Sequence, residues 1–385
     1  MLLLKEVQKY KKLVHLIQIF ATAMHSVIFA FIMPNLIDIR SLSLEELKTQ
    51  FVSLGEQAFR GKQVYEWLWK KSARSFAEMS NLSKELRQKL ESNYIIKAVT
   101  VDEKQISNDG TIKNSLKLFD GPIVEGVLIP TEKRMTACVS SQVGCSLSCR
   151  FCATGKLDLE RNLNADEIYD EVVIIKNQAE HYYKRPLTNI VFMGMGEPLL
   201  NYKNVLGAIA KITGEDGLNM ASDRITVSTA GIAKMIRKLG DDQVKFNLAL
   251  SLHAANDVKR SKIMPINESN TLEVLGEALA YYYSKTNNIV TFEYIVFKDF
   301  NDTIQDAEEL LAFSAYVPSK VNLIEYNSID GGEFQNTSGN KLYKFQRYLE
   351  DHGLTATLRR SRGKDIDAAC GQLANKRHEE AIMKA

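Results

Sequence analysis

Three thiols stand close together in Cys145-Ser-Leu-Ser-Cys149-Arg-Phe-Cys152, and only two further cysteines, Cys138 and Cys370, occur in the 385 residues. Three thiolates fall one short of a four-ligand structural zinc site and of a fully ligated cubic iron–sulfur cluster. They suffice to hold three irons of a 4Fe–4S cube and leave the fourth open for a small molecule to chelate. The plainer alternative is three buried or zinc-binding cysteines, but free thiols are rarely spaced so closely without a metal.

Other polar groups fall where chemistry would need them. The strand-like Asn189-Ile-Val-Phe-Met193 runs into Gly194-Met-Gly196-Glu197-Pro198. Two glycines let backbone approach a ligand closely, and Glu197 can accept hydrogen bonds from an ammonium group. Ser228 with Thr229, then Ser251-Leu252-His253, then Asn327 end further strand-like stretches. Singly each reads as a turn or cap; recurring at one end of successive strands, they point to a polar pocket. Cys370 follows Arg359, Arg360, Arg362 and Lys364, whose charge would favour a thiolate or receive RNA phosphates. Cys138 ends the first strand of the series and can reach the same site. For both cysteines the alternative is a small buried side chain. Glu125 interrupts the apolar Ile123-Val-Glu-Gly-Val-Leu-Ile129. An isolated carboxylate is expensive to bury there, so it faces solvent or points into a site.

These residues must be positioned by the elements around them. From Thr136 onward strands and helices alternate: strands at 136–139, 189–193, 224–228, 246–252, 290–296 and 321–326, helices beginning near Ala165, Tyr202, Ala233, Leu272, Thr303 and Lys341. Asn164-Ala-Asp-Glu167 and Asp302-Thr-Ile-Gln305 read as caps, and Gly214 and Gly240 as helix stops. Alternation of this kind implies a parallel sheet, here an α/β partial (β/α)6 barrel. Sites in such sheets lie at the carboxyl ends of strands, where the three-cysteine loop follows the first strand. Upstream, Ser107-Asn-Asp-Gly110 and Phe119-Asp-Gly-Pro122 signal a hairpin. Ser43-Leu-Glu-Glu46 is a capping box, opening a small helical domain with further helices over 61–72 and 83–90. Arg60, Lys62, Lys70, Lys71 and Arg74 beside Trp67 and Trp69 suit an RNA backbone with stackable bases, or equally a solvated basic helix face. The expected division is an apolar extension (1–32), a helical RNA-binding domain (34–97), a β linker or small sheet (98–130), a catalytic core (131–373) and a charged tail (374–385).

The composition is globular, with 45% hydrophobic and 25% charged residues. Lys and Arg outnumber Asp and Glu by only 49 to 47, so nucleic-acid contact must come from local patches. Clustered cysteines suit a reducing compartment. From Leu13 to Ile37 there is no charged residue, and Lys9, Lys11 and Lys12 precede the run; that is long enough for a membrane helix. His15, Gln18 and His25 interrupt it, and Met33-Pro34-Asn35-Leu36 reads as a natural start. The favoured expectation is a start at Met33 and a cytoplasmic protein with no membrane contact.

The C-x3-C-x2-C spacing resembles the signature of radical-SAM enzymes, whose 4Fe–4S cluster binds S-adenosylmethionine (SAM) at its free iron. Cys138-Val-Ser-Ser-Gln-Val-Gly-Cys145 through Cys152, Met193-Gly-Met-Gly-Glu-Pro198, Ser251-Leu-His253, Met264-Pro-Ile-Asn267, Val321-Asn-Leu-Ile-Glu-Tyr-Asn327 and Asp365–Leu373 together resemble the RlmN family of radical-SAM RNA methyltransferases. The resemblance implies methylation of carbon 2 of adenosine 2503 in 23S rRNA and of adenosine 37 in some tRNAs, with an electron donor such as flavodoxin. It implies cluster ligands Cys145, Cys149 and Cys152, and SAM contacts at Gly196, Glu197, Ser228, Ser251, Leu252, His253 and Asn327. It further implies Cys370 as the methyl-carrying cysteine, Cys138 as its resolving partner through a transient disulfide, and Glu125 as a proton acceptor. Asp158 stands where the family often has glycine.

Carbon 2 of adenine is electron-poor and holds a hydrogen that ordinary bases do not remove. The expectation is therefore two SAM molecules per turnover: one methylates Cys370 by displacement, and the second generates a radical that activates that methyl for addition to the base. Two rivals are the sister reaction at carbon 8, against which Pro198 weighs, and a non-catalytic RNA-binding protein with a structural metal.

Overall fold

The computed structural model describes residues 36–374; the apolar extension and all but the first residue of the expected charged tail lie outside them. The described chain divides into two compact units, one of residues 36–65 with 73–97, the other of 66–72 with 98–374.

In the first unit, helix α1 (Leu44–Ser53) opens on the expected capping box, with Ser43 N–H donating to Glu46 Oε2 at 2.7 Å and Glu46 N–H to Ser43 Oγ at 3.3 Å. Helix α2 (Ala58–Trp69) begins in this unit, and α3 (Lys84–Asn93) is capped by Ser83. Leu47, Phe51, Val64 and Leu90 are buried. Gly61 is required where α1 and α2 approach, because a Cβ there would lie 2.8 Å from Lys48 N.

The second unit is built on one ten-stranded sheet. Its strands, in chain order, are β1 (Thr100–Ile106), β2 (Ile112–Lys117), β3 (Ile123–Pro130), β4 (Met135–Cys138), β5 (Asn189–Phe192), β6 (Ile225–Thr229), β7 (Asn247–Ser251), β8 (Val290–Val296), β9 (Ser319–Glu325) and β10 (Ala356–Arg359). Spatial order follows chain order throughout. β1 to β4 pair antiparallel, and β4 to β10 pair parallel. The stretch 98–130 is thus the antiparallel end of the barrel sheet and not a sheet of its own; β3 pairs with β4 in a register that sets Val127 opposite Cys138.

Helices α4 (Ala165–Tyr183), α5 (Tyr202–Thr213), α6 (Ala233–Asp241), α7 (Asp257–Ile263), α8 (Leu272–Thr286), α9 (Ile304–Ser314) and α10 (Gly339–Asp351) connect the parallel strands. Every residue of β8 is buried, as a parallel strand covered on both faces must be. Six strand–helix units therefore form as expected, with β10 added at the edge. Gly240 does not stop its helix; it lies in the last turn of α6, and Gln243 takes the left-handed turn beyond it (φ 47°). Trp69 is no stacking platform for a base: it is 2% exposed and packs edge-on against Tyr169 of α4 at 5.1 Å. Trp67 has the Lys71 ammonium 3.8 Å from its ring centroid. Among the described residues no helix is long and apolar enough to cross a membrane.

Candidate active site

A cavity of about 970 Å³, its open mouth included, lies at the carboxyl ends of the parallel strands. All three clustered cysteines line it, from the loop after β4. Glycine is needed at the start of that loop. Gly144 has φ 75°, and a Cβ on it would come within 1.9 Å of the Asp158 carbonyl oxygen. Asp158 meets the loop through this main-chain oxygen, which any residue type supplies, and the residue is exposed. Burial pushes the Cys145 thiol up to about 11, and raises Cys149 and Cys152 too, with the neighbouring thiols adding to it. Three adjoining thiolates are thus unfavourable without a cation to hold. Among the described residues no three such side chains converge on a single ion.

Gly196 follows β5 with φ 91°, and a Cβ on it would lie 2.4 Å from Gln142 Cβ. Gln142 in turn accepts the Glu197 N–H at 2.7 Å. The Glu197 carboxylate lines the cavity, fully buried; Oε1 accepts the Leu199 N–H at 2.9 Å and Oε2 the Ala230 N–H at 2.8 Å. Burial raises its pKa against these hydrogen bonds. The Thr229 side chain bonds the carboxylate as well, and the acceptor capacity that is left can take a ligand ammonium. Ser228 and Ser251 line the wall with their hydroxyls 3.3 Å apart. His253, at φ 55°, accepts the Ile295 N–H on Nδ1 at 3.1 Å and packs its ring edge-on to Phe151 at 4.6 Å. Burial, then the Arg260 charge, lowers its pKa to about 3, so the ring is neutral.

Two expected SAM contacts stand behind the wall. Leu252 is fully buried, with its N–H donated to Glu293 O at 3.0 Å. Asn327 donates Nδ2 to the Cys370 carbonyl at 3.1 Å, and its Oδ1 is buried without a partner, an acceptor that a polar cofactor would satisfy.

Cys370 lines the cavity with the three cluster thiols. Cys138 is buried on β4 outside the lining; burial raises its pKa, the Cys370 charge raises it further, and Arg359 opposes both. All five cysteines are free thiols, so the expected disulfide is not formed in this structure. The basic run is also corrected. Arg359 lines the cavity and pairs with Glu293 of β8 at 3.4 Å, while Arg362 bonds the carbonyls of Asp109 and Pro130. Arg360 and Lys364 are exposed and both pair with Glu325, and the partly exposed Arg362 pairs with Asp109 at 3.2 Å. Glu125 does not line the cavity: it is 3% exposed, 2.9 Å from the Lys113 ammonium.

Glu293 escaped the sequence reading, although a carboxylate inside the apolar Val290–Val296 strand is the same signal that marked Glu125. Arg260 of α7 was missed as well. It is fully buried and bonds the carbonyls of Ala230, Ser251 and Leu252 beneath the wall.

Residues 35–96 match the family described as the ribosomal RNA large subunit methyltransferase N-terminal domain, and 139–309 match the radical SAM superfamily. A protein of Cytophaga hutchinsonii named "Probable dual-specificity RNA methyltransferase RlmN" is 65% identical over 88% of this chain and 93% of its own length. The chain belongs to the RlmN family. A second RlmN relative, the dual-specificity RNA methyltransferase of Geotalea uraniireducens, is 43% identical over 88% of this chain and 96% of its own. The crystal structure of a radical SAM methyltransferase from Sphaerobacter thermophilus superposes with a TM-score of 0.83 at 38% identity, covering 88% of this chain and 99% of that one. RlmN membership makes the chain a radical-SAM enzyme that uses a 4Fe–4S cluster and SAM, and the three-thiol loop and its cavity fit both.

Proposed function

We propose that the chain methylates carbon 2 of an adenosine in 23S rRNA, and of an adenosine beside the anticodon in some tRNAs, with Cys370 as the methyl carrier. The observation that carries this reading is that Cys370 and the three clustered thiols line one cavity. Cys145, Cys149 and Cys152 hold the cluster. Gly196, Glu197, Ser228, Ser251 and His253 receive SAM, with Leu252 and Asn327 supporting the wall. When bound, cluster and SAM supply one-electron chemistry able to activate a methyl C–H bond. Arg359 lines the same cavity as Cys370, the thiol that accepts a methyl in the first displacement. Cys138, held protonated by burial at the end of β4, attacks the Cys370 sulfur once the base is modified, forming the Cys138–Cys370 disulfide as the carbon–sulfur bond to the product breaks, and the electron donor then reduces that disulfide. The basic residues of the helical unit receive RNA, an acidic flavodoxin-like protein supplies electrons, and the cytoplasm is the compartment.

The test is anaerobic reconstitution with iron and sulfide, then nucleoside analysis of rRNA and tRNA treated with SAM and reductant. Carbon-2 methyladenosine is expected from both RNAs. A carbon-8 product would assign the sister reaction instead. Cys370→Ala should abolish methylation while 5′-deoxyadenosine still forms; full turnover by that variant removes the methyl carrier.

A further inference from the structure

The segment that carries Cys370 has almost no regular structure of its own. Between β10 and Ala374 it makes one short turn at Lys364–Ile366, and it takes left-handed bends at Gly363 (φ 65°), Asp367 (φ 50°) and Gly371 (φ 83°). Such a path depends on ties to its surroundings. On the cluster side, Ala153 N–H donates to Gly371 O at 2.7 Å and Asn327 to Cys370 O at 3.1 Å. On the other side lies the antiparallel end of the sheet. There Lys113 of β2 and Glu125 of β3 form an ion pair at 2.9 Å, with side chains 8% and 3% exposed.

Both members of the pair also hold the segment. Lys113 Nζ donates to Asp367 O at 3.2 Å, three residues before Cys370, and Glu125 Oε2 accepts the Ala374 N–H at 2.8 Å, four residues after it. The Lys113 contact falls on a non-glycine residue in a left-handed bend, where the backbone needs an outside partner to stay. A buried ion pair is a poor device for stability alone, because desolvating two charges offsets much of their attraction. Its position on both flanks of a reactive thiol is what gives it a use.

We infer that Lys113 is a positioning residue: with Glu125 it forms a charged latch that fixes the Cys370 segment so that the thiol faces the cavity. This rests on Cys370 being the methyl carrier. Glu125, expected as a proton acceptor, is committed to the latch in this structure. Without the Lys113 ammonium the Asp367 carbonyl loses its tie to β2, the thiol is held less firmly towards the cavity, and more 5′-deoxyadenosine forms without methyl transfer.

Two measurements on the reconstituted holoenzyme test it. In Lys113→Met, 5′-deoxyadenosine formed per methylated adenosine should rise at least about tenfold, because coupling depends on where Cys370 sits. Before any exposure to SAM, alkylation of Cys370 by N-ethylmaleimide, followed by peptide mass spectrometry, should quicken by a similar factor. Lys113→Arg should return both towards the parent. If Lys113→Met does not fold, the uncharged pair Lys113→Met with Glu125→Gln keeps an acceptor for Ala374 and is measured the same way. Parental coupling and parental alkylation in the folded variant overturn the latch. Full methylation by Cys370→Ala would instead overturn the carrier, and the alkylation rate would still report on the latch.

Discussion

Replacing Arg260 with methionine removes a fully buried guanidinium that has no carboxylate within salt-bridge distance among the described residues. Its charge is neutralised by oxygens instead: Ala230 O at 2.5 Å, Asn267 Oδ1 at 2.7 Å, Leu252 O at 3.2 Å and Ser251 O at 3.3 Å. Burial draws its pKa down to about 10, so it remains charged at neutral pH. The two short bonds are charge-assisted, at about 1.5–3 kcal/mol each. Against their loss stands relief from desolvating the cation, several kcal/mol by itself. Methionine also leaves the carbonyl of Ala230 buried and unpaired, at about 1–3 kcal/mol, while the Leu252 carbonyl keeps the Ala254 N–H at 2.7 Å. The net expectation is a loss of about 3 kcal/mol, a large share of a domain's stability. Anaerobic urea unfolding followed by circular dichroism measures it. Because Ala230 and Ser251 line the cavity, SAM affinity by equilibrium dialysis should fall at least about tenfold, equivalent to ~1.4 kcal/mol. Arg260→Lys, which keeps the charge but not the fork, should land between. Unchanged unfolding and unchanged SAM binding in Arg260→Met would refute the idea that this side chain ties the strand ends together.

Gly196→Ala forces a Cβ to within 2.4 Å of Gln142 Cβ at φ 91°; the left-handed backbone costs about 1–2 kcal/mol and the overlap about 1–3 kcal/mol, so SAM titration should show weaker binding. His253, depressed to about 3 from an ordinary value near 6.5, binds a proton in the unfolded chain before it does in the folded one. Its contribution is complete above about pH 6.5 and declines by ~1.4 kcal/mol per pH unit on acidification towards the folded value. Unfolding of His253→Gln should be flatter by that slope between pH 6.5 and 5, and parallel curves would contradict it. Cys138→Ala should trap a covalent protein–RNA adduct under single-turnover conditions, seen as a shifted band that ribonuclease trims; its absence would remove Cys138 from product release.

The starts of α4, α5, α6 and α8 fall on the residues expected from the sequence, and β8 matches at both ends. Periodicity and caps are local, and local signals fix element type well. They do not fix partners. Nothing in Ile123–Pro130 by itself announces that β3 pairs with β4 and joins the hairpin to the barrel, since the pairing depends on register across a turn. β10 escaped notice because Arg359, a charged strand-end residue, made its neighbourhood read as a basic surface. Trp69 looked like a base-stacking side chain for the same reason: sequence places it among lysines, while the fold turns it towards Tyr169. The cluster loop and the glycine turn were legible because their chemistry is carried by spacing within a few residues. The Lys113–Glu125 latch was not, because its contacts span 254 and 249 positions.

Those separations bear on synthesis. A growing chain releases β2 and β3 early, and only after some two hundred and fifty more residues does it release the stretch that docks upon them. The three clustered thiols are therefore made well before the thiol at position 370. On the proposed roles, chains ended before position 370 would keep the three clustered thiols yet lack the thiol that carries the methyl group, so this stretch completes the cavity last.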